Sequence, residues 1–189
     1  VTNLSTSRMV DDIAEKFGQK VFRTPVGEAN VAGKMQEIDA ARGGKPEGIA
    51  GSNVIGGEGN GGIIDLRVGP VRDSFVGIAM ILDLMTRTGK SISQLVSDIP
   101  KYAMIKTKFE CTPEQSAALV EKVKRKFSDQ KIDTQDGVRI DWPGDGTGGV
   151  SGWVHVRQSN TEPIARVIAE AASEAGAKEL IARVQALQQ

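Results

Sequence analysis

The sequence has one cysteine, one histidine and few aromatic residues, 4% of its 189 positions. Cys111 alone cannot close an internal disulfide, and with His155 as its only companion it makes neither a zinc set nor a Cys–His dyad. A reducing cytoplasm is therefore the expected setting. With aromatics scarce, Val, Ile, Leu and Ala must fill the cores. Charge of either sign is not in excess either. Lys plus Arg and Asp plus Glu are 24 each, so the net charge is zero. No global field draws in nucleic acid or an anionic membrane, and any anion site must be local. The apolar runs are too short to span a bilayer, and no charged-then-apolar leader opens the sequence.

What is present is an alternation of strand and helix signals, followed by a change of pattern. Val1 to Ser5 reads as a strand, and a helix begins near Ser7 with Met9, Val10, Ile13, Ala14 and Phe17 as its apolar stripe, ended by Gly18. Val21 to Arg23 is a short strand, and a second helix carries Val31, Met35 and Ile38. Residues 41–51 read as an exposed Gly/Pro loop. Val54-Ile55 and Ile63-Ile64 flank a glycine-rich turn, and Val76 to Met85 is apolar apart from Asp83, as expected of a buried helix. This half implies an α/β layer with a mixed or mostly parallel sheet.

From Lys101 the signals become those of an antiparallel sheet with helices on one face, an α+β layout. Tyr102 to Phe109 reads as a strand. Thr112-Pro113-Glu114-Gln115 is a capping box opening a helix with Leu119, Val120, Val123 and Phe127 on its buried stripe. Asp136-Gly137 turns between short strands, Val138 to Trp142 alternates, and 144–149 is a flexible loop. The last helix starts at Ser173-Glu174 and presents Ala177, Leu180, Ile181, Val184 and Leu187. The expected domains are 1–99 and 100–189.

Two segments carry candidate chemistry. Arg157-Gln158-Ser159-Asn160-Thr161-Glu162-Pro163 lies between two strand-like flanks. A guanidinium fork matches phosphate oxygens, and Ser159, Asn160, Thr161 and loop N–H groups supply further donors. The same composition also suits a plain polar turn, and the residues alone leave both readings open. Gly56-Gly57-Glu58-Gly59-Asn60-Gly61-Gly62 places a carboxylate in a loop where backbone can approach a ligand closely.

These segments resemble those of the alpha-D-phosphohexomutases. Arg157 to Pro163 resembles that family's phosphate-binding loop, Gly56 to Gly62 its sugar-specificity loop, and Leu95 to Tyr102 the junction between its third and fourth domains. Thr24-Pro25-Val26-Gly27-Glu28 resembles another substrate-facing loop of the third domain. The resemblance implies an incomplete third domain followed by a complete fourth. It assigns sugar binding to Gly27, Glu28, Gly57, Glu58 and Asn60, and phosphate binding to Arg157, Ser159, Asn160 and Thr161. For Glu28, a helix N-terminal carboxylate, ligand and cap stay equally open. Asn60 stands where Ser is common, Gly62 where many members have His, and Gln158 where Gly is usual.

By the same resemblance the parent enzyme interconverts hexose (mannose or glucose) or hexosamine 1-phosphate and 6-phosphate through a bisphosphosugar, with magnesium. Its phosphoserine and Asp-Gly-Asp-type metal loops have no counterpart in these 189 residues. No catalytic residue and no metal ligand are therefore assigned here, and the chain alone is expected to be inactive. The expected partners are a phosphosugar and the N-terminal domains of the parent, and the missing start of the third domain is expected to cause self-association or a loosened first half. A non-catalytic phosphosugar-binding module is the alternative. His155 alternates with Val154 and Val156 and reads as structural; Arg166 reads as surface or salt-bridged, and Arg72-Asp73 as a helix cap.

Overall fold

The chain was analysed as a computed structural model that describes residues 1–43, 54–144, 150–159 and 162–188. Its backbone divides into two units, Val1–Pro100 and Lys101–Gln189. The loops expected at 41–51 and 144–149 fall mostly outside the described residues.

In the first unit, β1 (Thr2–Asn3) leads into α1 (Met9–Lys16) and returns to pair in parallel with β2 (Arg23–Thr24). The chain then enters α2 (Glu28–Ala41) through Gly27, whose φ of 132° is a conformation that L side chains rarely adopt. β3 (Ile55–Glu58) and β4 (Gly62–Asp65) form an antiparallel hairpin. Val1 ties that hairpin to β1: its amino group donates to Ile55 O at 2.8 Å, and Gly57 N donates to Val1 O at 3.1 Å. The unit thus holds a parallel two-stranded sheet, β1-β2, and a separate antiparallel one, β3-β4, where a single mixed or mostly parallel sheet was expected.

The core of this unit is small. Val31, Ala32 and Met35 of α2 pack with Val54, Ile64 and Leu66. Glycine is required at the contact, because a Cβ on Gly56 would lie 2.2 Å from Met35 Sδ. The hairpin is equally tight at Gly57, where a Cβ would lie 2.4 Å from Gly62 O.

α3 (Ser74–Thr88) and α4 (Ile92–Ser97) complete the unit. α3 corrects the expectation of a buried helix, since none of its residues is buried. Phe75 is 83% exposed, and Ile78, Ile81, Leu82 and Leu84 are exposed with it. Apolar composition records a demand for cover, not whether a covering surface is present. The stripe of α1 behaves the same way, with no buried residue and Phe17 exposed.

The second unit is an antiparallel sheet in the order β5-β9-β8-β7-β6. Its elements in chain order are β5 (Ala103–Glu110), α5 (Pro113–Lys126), β6 (Lys131–Asp133), β7 (Val138–Trp142), β8 (Gly152–Gln158), β9 (Ile164–Ala171) and α6 (Glu174–Gln185). Thr112 and Gln115 cap α5 reciprocally, as the capping pattern requires. One sheet face, with Ile140, Val154, Val156, Val167 and Ala169, packs with Leu119 and Val123 of α5 and with Leu180 and Val184 of α6. Phe127 meets Trp142 edge-on at 5.2 Å.

The other sheet face departs from simple alternation. Arg139 is buried, ion-paired to Asp141 at 2.9 Å, and stacked 4.1 Å from the Trp153 ring. Trp153 Nε1 donates to Glu170 Oε1 at 2.8 Å. Buried charge survives there because it is paired and stacked. Among the described residues no helix is long and apolar enough to cross a membrane.

Candidate functional site

Glu58 closes β3, and its side chain is 8% exposed. Burial of a carboxylate demands donors, and four residues bring them towards it. Asn3 Nδ2 donates to Glu58 Oε1 at 2.7 Å, and Gly27 N donates to the same oxygen at 3.2 Å. Glu58 Oε2 is less engaged: Asn60 Nδ2 stands 3.5 Å away and Arg72 Nη1 3.7 Å away. One oxygen is anchored, and the other keeps acceptor capacity.

The turn that follows is set by Gly61, with a φ of 91°, and by Asn60, whose Oδ1 accepts from Gly62 N at 3.2 Å. Gly59 N donates to Thr6 Oγ1 at 3.0 Å, fixing the tip of the hairpin to the turn after β1. Gly27, Glu28, Gly57, Glu58 and Asn60 thus converge in one cluster of the first unit.

Glu28 is the first residue of α2, yet it does not cap that helix. Arg72 N and Arg72 Nε both donate to its carboxylate, each at 2.7 Å. The Arg72 backbone N–H, and then its guanidinium, hold the Glu28 carboxyl below its ordinary value. Arg72, Asn3 and Thr6 are members of the cluster that sequence reasoning missed. Arg72 lies 44 residues from Glu28, and only its neighbour Asp73 gave a local signal. Asp73 caps α3 as read, accepting from Phe75 N and Val76 N.

In the second unit, Arg157 and Gln158 end β8, and Ser159 follows, buried, its N–H donating to Ile164 O at 3.0 Å. Pro163 O accepts from Cys111 N at 3.1 Å, tying the residue before β9 to the end of β5. Asn160 and Thr161 lie outside the described residues. The register sets Arg157 directly opposite Arg166 of β9. Arg166 is salt-bridged to Glu162 at 2.9 Å. Nε of both arginines is buried without a hydrogen-bond partner among the described residues, and Arg157 Nη1 donates to Gln158 O at 3.4 Å. Two like charges paired across neighbouring strands repel each other, and Glu162 offsets only the charge of Arg166 among the described residues.

His155 points to the face opposite Val154 and Val156 and is itself buried. Its Nε2 donates to Asp136 O at 2.7 Å, since a carbonyl can only accept. Burial pushes the His155 pKa below its ordinary value, only partly offset by Asp136. Among the described residues no group of three or more His, Cys, Asp or Glu could hold a metal ion. The magnesium that the resemblance implies therefore finds no ligand set among them.

Two family descriptions match the chain. Residues 1–102 match the alpha/beta/alpha domain III of phosphoglucomutase/phosphomannomutase, and residues 104–187 match the C-terminal domain of the same enzymes. A phosphoglucomutase/phosphomannomutase from Thermococcus kodakarensis is 38% identical over 185 residues, covering 96% of this chain and 36% of its own length. A phosphoglucosamine/phosphogalactosamine mutase from Sulfurisphaera tokodaii is 32% identical over 187 residues, again 96% of this chain and 36% of the relative. The chain thus spans a little over one third of these relatives.

Solved structures agree at the level of fold. A phosphoglucomutase/phosphomannomutase family protein from Burkholderia thailandensis superposes with a TM-score of 0.71 at 19% identity, over 98% of this chain and 36% of that one. An N-acetylphosphoglucosamine mutase from Aspergillus fumigatus, in complex with glucose 1,6-bisphosphate, gives 0.64 at 13% identity, over 98% and 37%.

Proposed function

The chain belongs to the phosphoglucomutase/phosphomannomutase family, and from that premise we propose that it is the sugar- and phosphate-holding portion of a phosphohexomutase. The parent reaction is the interconversion of hexose or hexosamine 1-phosphate and 6-phosphate through a bisphosphosugar that turns end for end. In this reading Glu58 Oε2 accepts from a sugar hydroxyl, with Gly27, Gly57 and Asn60 shaping the loop around it. Arg157, Ser159, Asn160 and Thr161 hold the phosphate that is not reacting. Binding remote from the reacting centre accelerates such a reaction by fixing geometry, which is the part these residues can perform.

The observation that carries the reading is the Arg157–Arg166 pair, two arginines directly opposite in the strand register whose Nε atoms are buried without partners among the described residues. A dianion beside the ends of the guanidinium groups relieves the repulsion between them. The test is titration of glucose 1-phosphate and inorganic phosphate into wild type and Arg157→Ala. Loss of a charge-assisted fork is worth about 1.5–3 kcal/mol, or about tenfold to a hundredfold in affinity. Arg157→Lys should restore only part of it, because an ammonium lacks the planar fork. Unaltered phosphate affinity in a folded Arg157→Ala protein removes the residue from the site.

A further inference from the structure

Arg72 lies across the hairpin tip in a space that Gly62 leaves open. A Cβ on Gly62 would meet Arg72 Cδ at 2.1 Å and Arg72 Cγ at 2.8 Å. Any side chain at position 62 would displace the arginine from where it now runs. The guanidinium is fixed at one edge, where Nε donates to Glu28 Oε2 at 2.7 Å, and its backbone is fixed by the bond from Arg72 N to Glu28 Oε1. Its Nη1 reaches to 3.7 Å from Glu58 Oε2, close enough for attraction and too far for a hydrogen bond.

The side chain of Arg72 is 42% exposed, against 8% for Glu58. The cluster therefore presents guanidinium N–H groups at an accessible edge, with the less engaged oxygen of the largely buried Glu58 carboxylate 3.7 Å behind them. This pair has a complementary ligand. In a vicinal diol one hydroxyl can donate to the carboxylate oxygen while the neighbouring oxygen accepts from the guanidinium. Glu28 contributes by keeping the guanidinium from collapsing onto Glu58 and using up both partners.

We propose that Arg72 is a substrate-binding residue of this loop, donating from its Nη atoms to one oxygen of a pyranose vicinal diol whose other hydroxyl donates to Glu58 Oε2. The proposal rests on the reading of the Glu58 loop as the sugar site. It gives Gly62 a defined role: absence of a side chain there is what lets the arginine reach the sugar.

The test is a double-mutant cycle on the full 189-residue chain. Glucose 1-phosphate and inorganic phosphate are titrated into wild type, Arg72→Ala, Gly62→Ala and the double variant, with amide spectra confirming the fold. Glucose 1-phosphate affinity is expected to fall about tenfold in Arg72→Ala, the loss of a hydrogen bond to a charged donor, while inorganic phosphate affinity stays constant. Gly62→Ala should weaken glucose 1-phosphate binding on its own and add little once Arg72 is gone, because the two act through one side chain. Unaltered glucose 1-phosphate affinity in Arg72→Ala, or additive losses in the double variant, overturns the assignment. So does a fall in inorganic phosphate affinity, which would make Arg72 a phosphate ligand instead. Glu58→Gln separates the two levels. If it weakens the phosphosugar and Arg72→Ala does not, only Arg72 is lost. If wild type binds glucose 1-phosphate no more tightly than inorganic phosphate, the sugar reading falls and this inference with it.

Discussion

Arg157 of β8 and Arg166 of β9 stand directly opposite each other in the antiparallel register, and among the described residues only Arg166 has a carboxylate ion-paired to it, that of Glu162. A like-charge cross-strand pair is destabilising unless something compensates. In the proposed function a phosphate beside Arg157 supplies that compensation. Inorganic phosphate should therefore raise the melting temperature of the second unit in wild type and hardly move that of Arg157→Ala. At a concentration one hundred times Kd the gain is about 2.7 kcal/mol. Equal upward shifts in both proteins would assign the effect to general salt stabilisation.

The isolated chain should not turn over glucose 1-phosphate, even with magnesium and a bisphosphosugar added. Phosphoryl transfer needs a nucleophile and charge-neutralising groups in addition to positioning, and neither a phosphoserine loop nor an Asp-Gly-Asp loop occurs in the sequence. A coupled assay on protein purified free of host mutase decides this. Turnover above the level of a mock preparation contradicts it.

His155 should make the second unit lose stability on mild acidification. Its pKa is lowered in the folded chain by burial. Above the ordinary histidine value of about 6.5 both states are neutral and the group is silent. As pH falls through that value the unfolded chain takes up a proton that the folded chain refuses, so stability falls with pH. Melting curves of wild type and His155→Gln between pH 7.5 and 5.5 test the sign. A wild-type slope no steeper than that of the variant would show that His155 is not its source.

The exposed face of α3 should drive self-association. Phe75, Ile78 and Leu82 are all more than half exposed and recur at helical spacing, and an apolar patch of that kind seeks a partner. Sedimentation of wild type should show concentration-dependent dimers or larger species, and Phe75→Glu with Leu82→Glu should return the protein to monomer. Identical sedimentation for both would place any association elsewhere. Folding of the chain should survive these changes, since neither side chain belongs to a core.

Features governed by a few neighbouring residues were legible in the sequence. The Thr112–Gln115 box, the Asp136-Gly137 turn with Gly137 at a φ of 65°, and the glycine hairpin around Glu58 are all set by chemistry within four or five positions. The burial of α3 was not legible, because a helix's own composition does not reveal its surroundings. Nor was the membership of Arg72 in the sugar-loop cluster. The contacts from Arg72 to Glu28, and from Asn3 to Glu58, join residues 44 and 55 positions apart. No spacing rule reaches that far. The burial of Arg139 defeated the alternation reading of β7 for a related reason. Its stacking on Trp153 and its pairing with Asp141 make a charged residue acceptable inside, and only the register of β7 against β8 brings Trp153 to it.

The two apolar clusters share no residue, and they differ greatly in extent. One rests on a single helix and a hairpin, the other on two helices and most of a five-stranded sheet. Cooperativity in unfolding extends only as far as a common core. Heating should therefore melt this chain in two steps, with the calorimetric enthalpy exceeding the van't Hoff value taken from either signal alone. The early step is expected to release the amides of α2 and the Glu58 hairpin while Trp153 stays in its native environment. Its fluorescence would then report a protein that is still folded after half of it has already opened.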